Sequence, residues 1–240
     1  MVVNRSREAW KTYGNVFDSF TIRNLQKLSS LGYFEELEQN IALGKEANVF
    51  AGRSKEGDWA AVKIYRLENC NFNKMYEYIS QDPRYLDLKG DKRRIIFSWT
   101  QREYRNLLKA REVIRVPTPM HFKDNILVTE FIEEDGAACP KLKDVELDDP
   151  EAMCNEIVHM TATLFKHGLV HGDLSEFNIL IQEGQPVFID FSQCTSIDAP
   201  NARHLLFRDV EVLCRFFRKR QYRLDEHEVY KEITGKDYEA

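Results

Sequence analysis

Apolar residues recur at helical spacing in four stretches of the chain. In residues 19–31 they stand three apart, which predicts a helix with one apolar face. Ser19 or Thr21 is the predicted N-terminal cap of this helix, and Gly32 is its predicted end. Three further stretches are predicted to be helices on the same grounds: 97–114, 150–168 and 203–223.

Short apolar runs bounded by turn residues predict strands. Residues 40–67 are predicted to form a strand, a turn at Glu56-Gly57-Asp58 and a second strand. The run 125–132 predicts a buried strand. The runs 178–182 and 186–191 predict a hairpin, because a glycine-containing turn separates them.

Strands dominate the first half of the chain and helices the second, which predicts an α+β protein with two lobes. We expect an N-terminal helical extension over residues 1–39, an N-lobe with a twisted antiparallel sheet and a helix over 40–132, and a mostly helical C-lobe over 133–240. The connector 133–141 is the predicted boundary. The polar stretch 80–94 is broken by proline and glycine and predicts a mobile loop.

The composition is that of a globular protein. Of 240 residues, 43% are apolar and 30% are charged, which excludes a disordered or fibrous chain. The formal charge of −5 excludes a generally basic protein that coats nucleic acid, although local basic patches remain possible. Because the sequence shows neither an apolar membrane span nor a signal-peptide core, we expect a cytoplasmic protein without membrane contact. The five cysteines lack C-x-x-C spacing, which predicts reduced thiols rather than disulfides or a zinc site.

A lysine and a glutamate are candidates for binding phosphate. A strand lysine usually faces solvent, but Lys63 in AVKIY follows a turn and a glycine-containing strand. This stretch resembles the strand of protein kinases whose lysine binds the α- and β-phosphates. Glu103, on the helix after the polar loop, is the best-placed acid to hold that lysine, although a surface glutamate would have the same pattern. The segment from Gly44 and Lys45 to Val49 lies where a loop would cover the phosphates, but it lacks a full G-x-G-x-x-G pattern.

The segment LVHGDLSEFNILI carries the most specific pattern. Asp173 and Asn178 have the D-x-x-x-x-N spacing of a phosphoryl-transfer loop, in which the aspartate orients the attacking hydroxyl and the asparagine binds metal. Asp190, in VFIDFS, follows at the place of a second metal-binding acid. Each residue alone has a plainer interpretation as a turn former, a cap or a strand-end acid. Their joint spacing downstream of Lys63 and Glu103 favours the catalytic interpretation.

The segments that carry these residues resemble the RIO family of atypical protein kinases. The similarity runs from about residue 20 to residue 220, and the chain resembles the Rio-one-type subfamily in a short form typical of archaeal members. The matching segments are GKEANVFAG, AVKIYR, NKMYEYI, EYRNLLKA, VTEFI, LVHGDLSEFNIL and FIDFSQ.

The resemblance implies a fold and an activity. The fold is a two-lobed protein-kinase-like one, trimmed by the loss of the activation segment and the peptide-binding subdomains. The cofactors are ATP and Mg²⁺ or Mn²⁺. The activity is that of a serine/threonine protein kinase that autophosphorylates, or of an ATPase, or both, in the maturation of the small ribosomal subunit.

The resemblance also assigns roles to residues. Lys63 and Glu103 form the phosphate-binding pair, and Asp173 is the catalytic aspartate. Asn178 and Asp190 are metal ligands, and Asp190 is in addition a candidate acceptor of the transferred phosphate.

Further positions either match or depart from the family pattern. The resemblance assigns backbone contacts with adenine to Glu130 and Ile132, and cover of the phosphates to the loop from Gly44 to Val49. Ala42-Leu43 stand where the family usually has Ser-Thr, which removes a hydroxyl contact. Ser175 stands in the catalytic loop where ordinary protein kinases carry a lysine.

Two basic clusters are candidate contacts with ribosomal RNA in precursor particles of the small subunit, although a solvated charged face explains each equally simply. The first cluster is Lys89, Lys92, Arg93 and Arg94, and the second is Arg215, Arg218, Lys219, Arg220 and Arg223.

Two other functions remain open at this point. A small-molecule kinase of the aminoglycoside or choline type also has an HGDL…N loop, but it usually has a larger helical second half. An assembly scaffold that holds ATP with little catalysis would keep the same residues.

Overall fold

A computed structural model describes residues 17–68, 70–80, 88 and 91–239. These residues form two compact units. Among the described residues, the first unit contains those up to Tyr104 together with Pro119–Phe131, and the second contains Arg105–Thr118 and those from Ile132 onward. Residues 1–16 of the predicted N-terminal extension lie outside the described residues, as do Lys89 and most of the predicted loop before it.

The first unit is a five-stranded antiparallel sheet with helices. Its strands are β1 (Glu36–Leu43), β2 (Ala47–Arg53), β3 (Trp59–Tyr65), β4 (Pro119–Lys123) and β5 (Ile126–Glu130). They are arranged in the order β1-β2-β3-β5-β4, so that β3 is the central strand. The helices are α1 (Ser19–Ser30), α2 (Phe72–Ile79) and α3 (Lys92–Ala110), and the last residues of α3 belong to the second unit.

Two apolar clusters hold these elements together. Helix α1 buries Leu25 and Leu28 in a cluster with side chains of the sheet such as Val62 and Val128. On β3 the buried side chains at 60, 62 and 64 alternate with half-buried ones, as expected for a strand with two different faces. A second cluster joins Tyr65 at the end of β3 to apolar side chains of α2 and α3: Met75, Ile79, Ile95, Ile96 and Trp99.

The second unit is mostly helical. Its helices are α4 (Pro150–Lys166), α5 (Ala202–Arg218) and α6 (Glu226–Thr234), with single 3-10 turns at Leu142–Asp144 and Phe191–Gln193. Its strands form three antiparallel pairs: β6 (Glu133–Glu134) with β7 (Ala137–Ala138), β8 (Leu169–Val170) with β11 (Thr195–Ser196), and β9 (Ile179–Gln182) with β10 (Gln185–Phe188).

These elements confirm the α+β class, and several element ends differ from the prediction. Asp18, rather than Ser19 or Thr21, caps α1, because its carboxylate accepts the backbone N–H groups of Phe20 and Thr21. Helix α3 begins at Lys92 rather than at 97, since the Asp91 carboxylate accepts the N–H of Arg94 at 3.0 Å.

The last two predicted elements are shorter than expected. The strand predicted over 186–191 ends at Phe188 because Asp190 has a φ of 63°, which no strand residue adopts. The helix predicted to reach residue 223 ends at Arg218, before Gln221 with a φ of 66°. The predicted hairpin is confirmed, and its two turn residues, Glu183 and Gly184, have φ values of 51° and 73°, as a two-residue hairpin turn requires.

The cysteines are all free and buried, in agreement with the predicted reduced thiols. Burial raises the pKa of Cys154 and of Cys214 to about 12, so both are protonated at neutral pH. Within the described ranges, none of the helices is both long and apolar enough to cross a membrane.

The cap at Asp18 gives a first prediction. Replacing Asp18 with alanine should lower the free energy of unfolding by about 1 kcal/mol, because two N–H groups of α1 lose their acceptor. Burial raises the pKa of Asp18, but hydrogen bonds from Thr21 and Phe20 outweigh it and hold that pKa below its ordinary value. The stabilisation is therefore complete above about pH 4 and is lost as pH falls through the lowered pKa.

Urea unfolding at a series of pH values measures this difference. Gln26→Ala, at an exposed position of the same helix, is the matched control and should change stability little. A loss for Asp18→Ala that stays the same well below pH 4 would contradict the charged-cap explanation.

Candidate active site

Lys63 and Glu103 meet in the first unit. Lys63 lies on the central strand β3, between Val49 of β2 and Leu127 of β5 in the strand register. Its Nζ lies 2.8 Å from Oε1 of Glu103 on α3. The Glu103 side chain is only 2% exposed, so water screens the ion pair weakly. The Lys63 side chain is 16% exposed and is therefore partly accessible.

Tyr65, two residues along the same strand, contacts the same carboxylate. Its Oη donates a hydrogen bond to Oε2 of Glu103, and Lys63 Nζ lies 5.1 Å from the centre of its ring. Alternate residues of a strand point to the same face, so a tyrosine at this spacing from Lys63 is a signal that the sequence offered.

The predicted phosphate-covering segment is the turn between β1 and β2. The N–H of Gly44 donates to the carbonyl of Ala47 at 2.9 Å. A Cβ at position 44 would lie 2.7 Å from that carbonyl oxygen, so only glycine fits this turn. Lys45 is exposed and Val49 is half-buried on β2, which leaves the turn open to a ligand.

A buried aspartate holds the predicted catalytic loop, which lies in the second unit. Asp209 on α5 is 1% exposed and accepts the N–H of Gly172 at 2.7 Å and the N–H of Leu174 at 3.1 Å. These two bonds fix the backbone on either side of Asp173, whose own side chain is 46% exposed. Arg208 donates to the Gly172 carbonyl and lies 4.0 Å from Oδ1 of Asp173.

Asn178 ends the same loop. Its Nδ2 donates to the backbone carbonyl of Asp173 at 2.8 Å, so the amide oxygen points away from that carbonyl. The amide oxygen is the atom with which an asparagine binds a cation. The turn before it is closed by Ser175, whose carbonyl accepts the N–H of Asn178 at 2.9 Å and whose Oγ accepts the N–H of Phe177 at 3.4 Å. The structure therefore gives Ser175 a contact within the loop.

The hairpin of β9 and β10 brings Asp190 towards Asn178. The N–H of Ile189 donates to the carbonyl of Asn178 at 3.0 Å, so the residues next to Asp190 and the end of the catalytic loop lie side by side. Ser192 Oγ donates to Oδ1 of Asp190 at 2.8 Å. His171 Nε2 lies 3.1 Å from the carbonyl oxygen of Ile189. Amide and carboxylate oxygens are ligands that Mg²⁺ prefers, so this donor set fits a magnesium ion.

Glu130 and Ile132, the predicted contacts with adenine, lie at the end of β5 and directly after it. Glu130 pairs with Ala60 in the sheet, and the carbonyl of Ile132 accepts the N–H of Cys139 at 3.1 Å. They stand two residues apart in the chain, Glu130 in the first unit and Ile132 in the second.

The structure thus collects the predicted residues in two groups. The first unit brings Lys63 to Glu103, and the second places Asp173, Asn178 and Asp190 close together around one loop and one hairpin. Four contacting residues were missed from the sequence: Tyr65, Ser192, Arg208 and Asp209. Two of them had a local signal in the sequence: the spacing of Tyr65 from Lys63 and that of Ser192 from Asp190. Arg208 and Asp209 had none, and Asp209 lies 37 residues from Gly172.

Comparison with known proteins agrees with this geometry. The family model of the RIO domain matches residues 48–229, which is more than half of the chain. The chain belongs to the RIO family. The RIO-type serine/threonine-protein kinase Rio1 of Methanocaldococcus jannaschii is 41% identical over 231 residues, which cover 96% of this chain and 79% of the relative. The Rio1 kinase of Haloferax volcanii is 33% identical over 236 residues, which cover 98% of this chain and 81% of the relative.

A solved structure shares the fold. The Rio2 kinase of Chaetomium thermophilum, in a complex with ADP, Mg²⁺ and phosphoaspartate, superposes with a TM-score of 0.72 at 25% identity and covers 90% of this chain and 67% of its own. The predicted kinase-like fold and the predicted protein-kinase class are therefore confirmed. The aminoglycoside- or choline-type alternative loses its support, since the family is RIO.

The buried carboxyl of Asp209 gives a second prediction. Burial raises its pKa to about 8, although the N–H groups of Gly172 and Leu174 and the Arg208 guanidinium act in the opposite direction. Between about pH 4 and that value the native state holds a proton that the unfolded chain has released, so the free energy of unfolding should fall as pH rises, by at most about 1.4 kcal/mol per pH unit.

Urea unfolding of Asp209→Asn tests this slope, because the amide does not titrate. The variant should show a flatter pH dependence than the wild-type protein over that range. Asp148→Asn, at an exposed acid in the segment before α4, is the control and should keep the wild-type slope. An unchanged slope in Asp209→Asn would show that Asp209 is ionised in the native state throughout.

Proposed function

We propose that the protein uses ATP and Mg²⁺ (or Mn²⁺) to transfer the γ-phosphoryl group to serine or threonine hydroxyls, including its own, or by way of Asp190 to water. The observation that carries this proposal is the contact of 2.8 Å between Lys63 and the buried Glu103. An ammonium group held on a rigid strand beside a buried acid is the arrangement with which kinases bind the α- and β-phosphates. The names of the archaeal relatives support the substrate class.

Each side chain has a defined task in this reaction. Lys63 binds phosphate oxygens, and Glu103 keeps its ammonium in place. Asp173, exposed on a loop that Asp209 holds from behind, accepts a hydrogen bond from the attacking hydroxyl and orients it. Asn178 and Asp190 offer oxygen ligands to the cation. Mg²⁺ held by these oxygens would offset the negative charge that develops on the phosphate groups.

Asp190 offers a second route. One carboxylate oxygen attacks the γ-phosphorus, the bond to the β,γ-bridging oxygen breaks, and ADP leaves with that electron pair. Water then hydrolyses the acyl phosphate and regenerates Asp190, so the sum is ATP hydrolysis. The Chaetomium Rio2 complex holds a phosphoaspartate, which supports the route here. Ser192 donates to Oδ1 and thereby favours attack through the other oxygen.

The proposed setting is a precursor particle of the small ribosomal subunit. Support comes from the resemblance and from exposed basic side chains at the start of α3 (Lys92, Arg93 and Arg94) and at the end of α5. In the second cluster Arg218 pairs with Glu226 at 2.6 Å, and Arg220 stacks on Phe216. The members best placed to meet RNA phosphates are therefore Arg215, Lys219 and Arg223.

Two substitutions separate nucleotide binding from chemistry. Asp173→Asn should lower the transfer of phosphate to serine by at least about 100-fold and leave ATP affinity within a factor of about two, because the aspartate acts on the attacking hydroxyl. Lys63→Ala should weaken ATP binding by about 10-fold or more, since it removes a charged phosphate ligand. Binding is measured by calorimetry, and turnover is followed with γ-labelled ATP, Mg²⁺ and small-subunit precursors.

The same assay distinguishes the alternatives. Asp148→Asn, outside the site, should behave as the wild-type protein. Acid-stable label on serine supports protein phosphorylation, and label released by hydroxylamine supports Asp190 as acceptor. Normal labelling of serine by Asp173→Asn would show that the loop assignment is wrong, and ATP binding by the wild-type protein without any turnover would favour the scaffold.

The RNA-binding surface has its own test. Replacing Arg215, Lys219 and Arg223 with glutamine should weaken binding to small-subunit RNA and lower the slope of log affinity against log salt concentration by up to about 3, because each removed cation leaves one RNA phosphate without its partner. The control carries the same change in charge at scattered exposed lysines of the chain, Lys27, Lys55 and Lys109. If both triple variants lose RNA affinity equally, the loss follows from net charge alone, and a localised RNA-binding surface is contradicted.

A further inference from the structure

We propose that Tyr65 is a positioning residue for nucleotide binding, which orients Glu103 and through it the ammonium group of Lys63. The inference rests on the proposed function, because it assigns a part in binding phosphate to a residue outside the predicted set. It follows from the contacts of the phenol group within the first unit.

The carboxylate of Glu103 is held at both oxygens. Lys63 Nζ donates to Oε1 at 2.8 Å, and Tyr65 Oη donates to Oε2. A carboxylate that receives a donor at each oxygen is restrained in rotation about its last torsion, which a single ion pair does not achieve. The position of Oε1, and with it that of the lysine, therefore depends on the phenol.

Burial makes this hydrogen bond matter for the geometry of the pair. Tyr65 and Glu103 are each 2% exposed, so water does not replace the phenol hydroxyl if it is removed. The centre of the Tyr65 ring also lies 5.1 Å from Lys63 Nζ, so the ring contacts the lysine while the hydroxyl contacts Glu103. Loss of the hydroxyl alone keeps the ring and isolates the hydrogen bond.

The backbone of Tyr65 is fixed as well. Its N–H donates to the carbonyl of Asn125, and its own carbonyl accepts Nδ2 of Asn125, both at 2.9 Å. The same Nδ2 donates to Oγ1 of Thr21 at 3.0 Å, and Thr21 donates to Asp18 at the start of α1. A chain of hydrogen bonds thus runs from the cap of α1 to the Lys63–Glu103 pair. It fixes the backbone of Tyr65 and with it the position of the phenol group.

The simpler explanation is that Tyr65 only fills the apolar cluster of α2 and α3, where its ring packs with Met75, Ile79 and Trp99. Phenylalanine would serve that purpose equally well. The two explanations differ in what the hydroxyl does for nucleotide affinity, and this difference is measurable.

The first experiment compares Tyr65→Phe with the wild-type protein by calorimetric titration with ATP and Mg²⁺. We expect ATP affinity to fall about 3- to 10-fold, because part of the strength of a hydrogen bond to a charged group is transferred to binding. Tyr33→Phe is the control, since that ring stacks on His121 in the same unit, and it should leave the affinity unchanged. Equal affinity of Tyr65→Phe and the wild-type protein, with Lys63→Ala still weakened, would overturn the inference and leave the proposed function standing.

A double-mutant cycle gives the decisive readout. If Tyr65 acts through Glu103, Tyr65→Phe should have no further effect on ATP affinity in the Glu103→Gln background. Additive losses of affinity in the two variants would show that Tyr65 acts by general destabilisation and would overturn the inference. Failure of the wild-type protein to bind ATP, or of Lys63→Ala to weaken binding, would overturn the proposed function and this inference together.

A measurement that does not need Tyr65→Phe covers the case in which that variant fails to fold. In protein with isotope-labelled tyrosine Cζ, one buried tyrosine resonance should shift on Glu103→Gln substitution and again when ATP binds. A spectrum in which no tyrosine responds to either change would overturn the inference.

Discussion

The free-energy cost of burying an acidic side chain constrains both units of this structure. An isolated ionised acid is not tolerated in an apolar interior, so each buried acid must find donors. Glu103 on α3 is 2% exposed and takes its donors from Lys63 and Tyr65 of β3. Because both donors lie on one strand, satisfying the acid also sets the position of α3 against the sheet. Lys63, the proposed phosphate-binding residue, thus also helps to hold the first unit together.

The second unit meets the same constraint with a different donor. Asp209 is buried to 1% exposure and is satisfied by backbone N–H groups on either side of Asp173. A buried acid here fixes the loop, and the side chain of Asp173, the proposed catalytic residue, remains exposed. In both units, then, a buried acid holds a more exposed polar group, Lys63 in the first and Asp173 in the second, which is proposed to contact the substrate. Membership in the RIO family gives this common arrangement a functional setting.

Hydrogen bonds from tyrosine and serine hydroxyls complete the arrangement. Tyr65 donates to Glu103, and Ser192 donates to Asp190, and each hydroxyl residue lies two positions along the chain from a residue of the predicted site. Each hydroxyl donates a hydrogen bond to one oxygen of a carboxyl group and thereby orients the other oxygen. Such contacts add little apolar burial, so their effect falls on the geometry of the site rather than on the core.

The sequence by itself determined the α+β class and the local patterns around Lys63, Asp173, Asn178 and Asp190, because these depend on periodicity and on spacing within a few residues. The resemblance of whole segments indicated the RIO family. It also indicated Glu103 as the acid for Lys63, but only as the best-placed of many surface-like glutamates. The burial of Glu103 and of Asp209 and the contact of the Tyr65 phenol with Glu103 were decided by the tertiary structure. The physical reason is that burial and donor geometry depend on partners 35 to 40 residues away in the chain, whose approach no local pattern encodes.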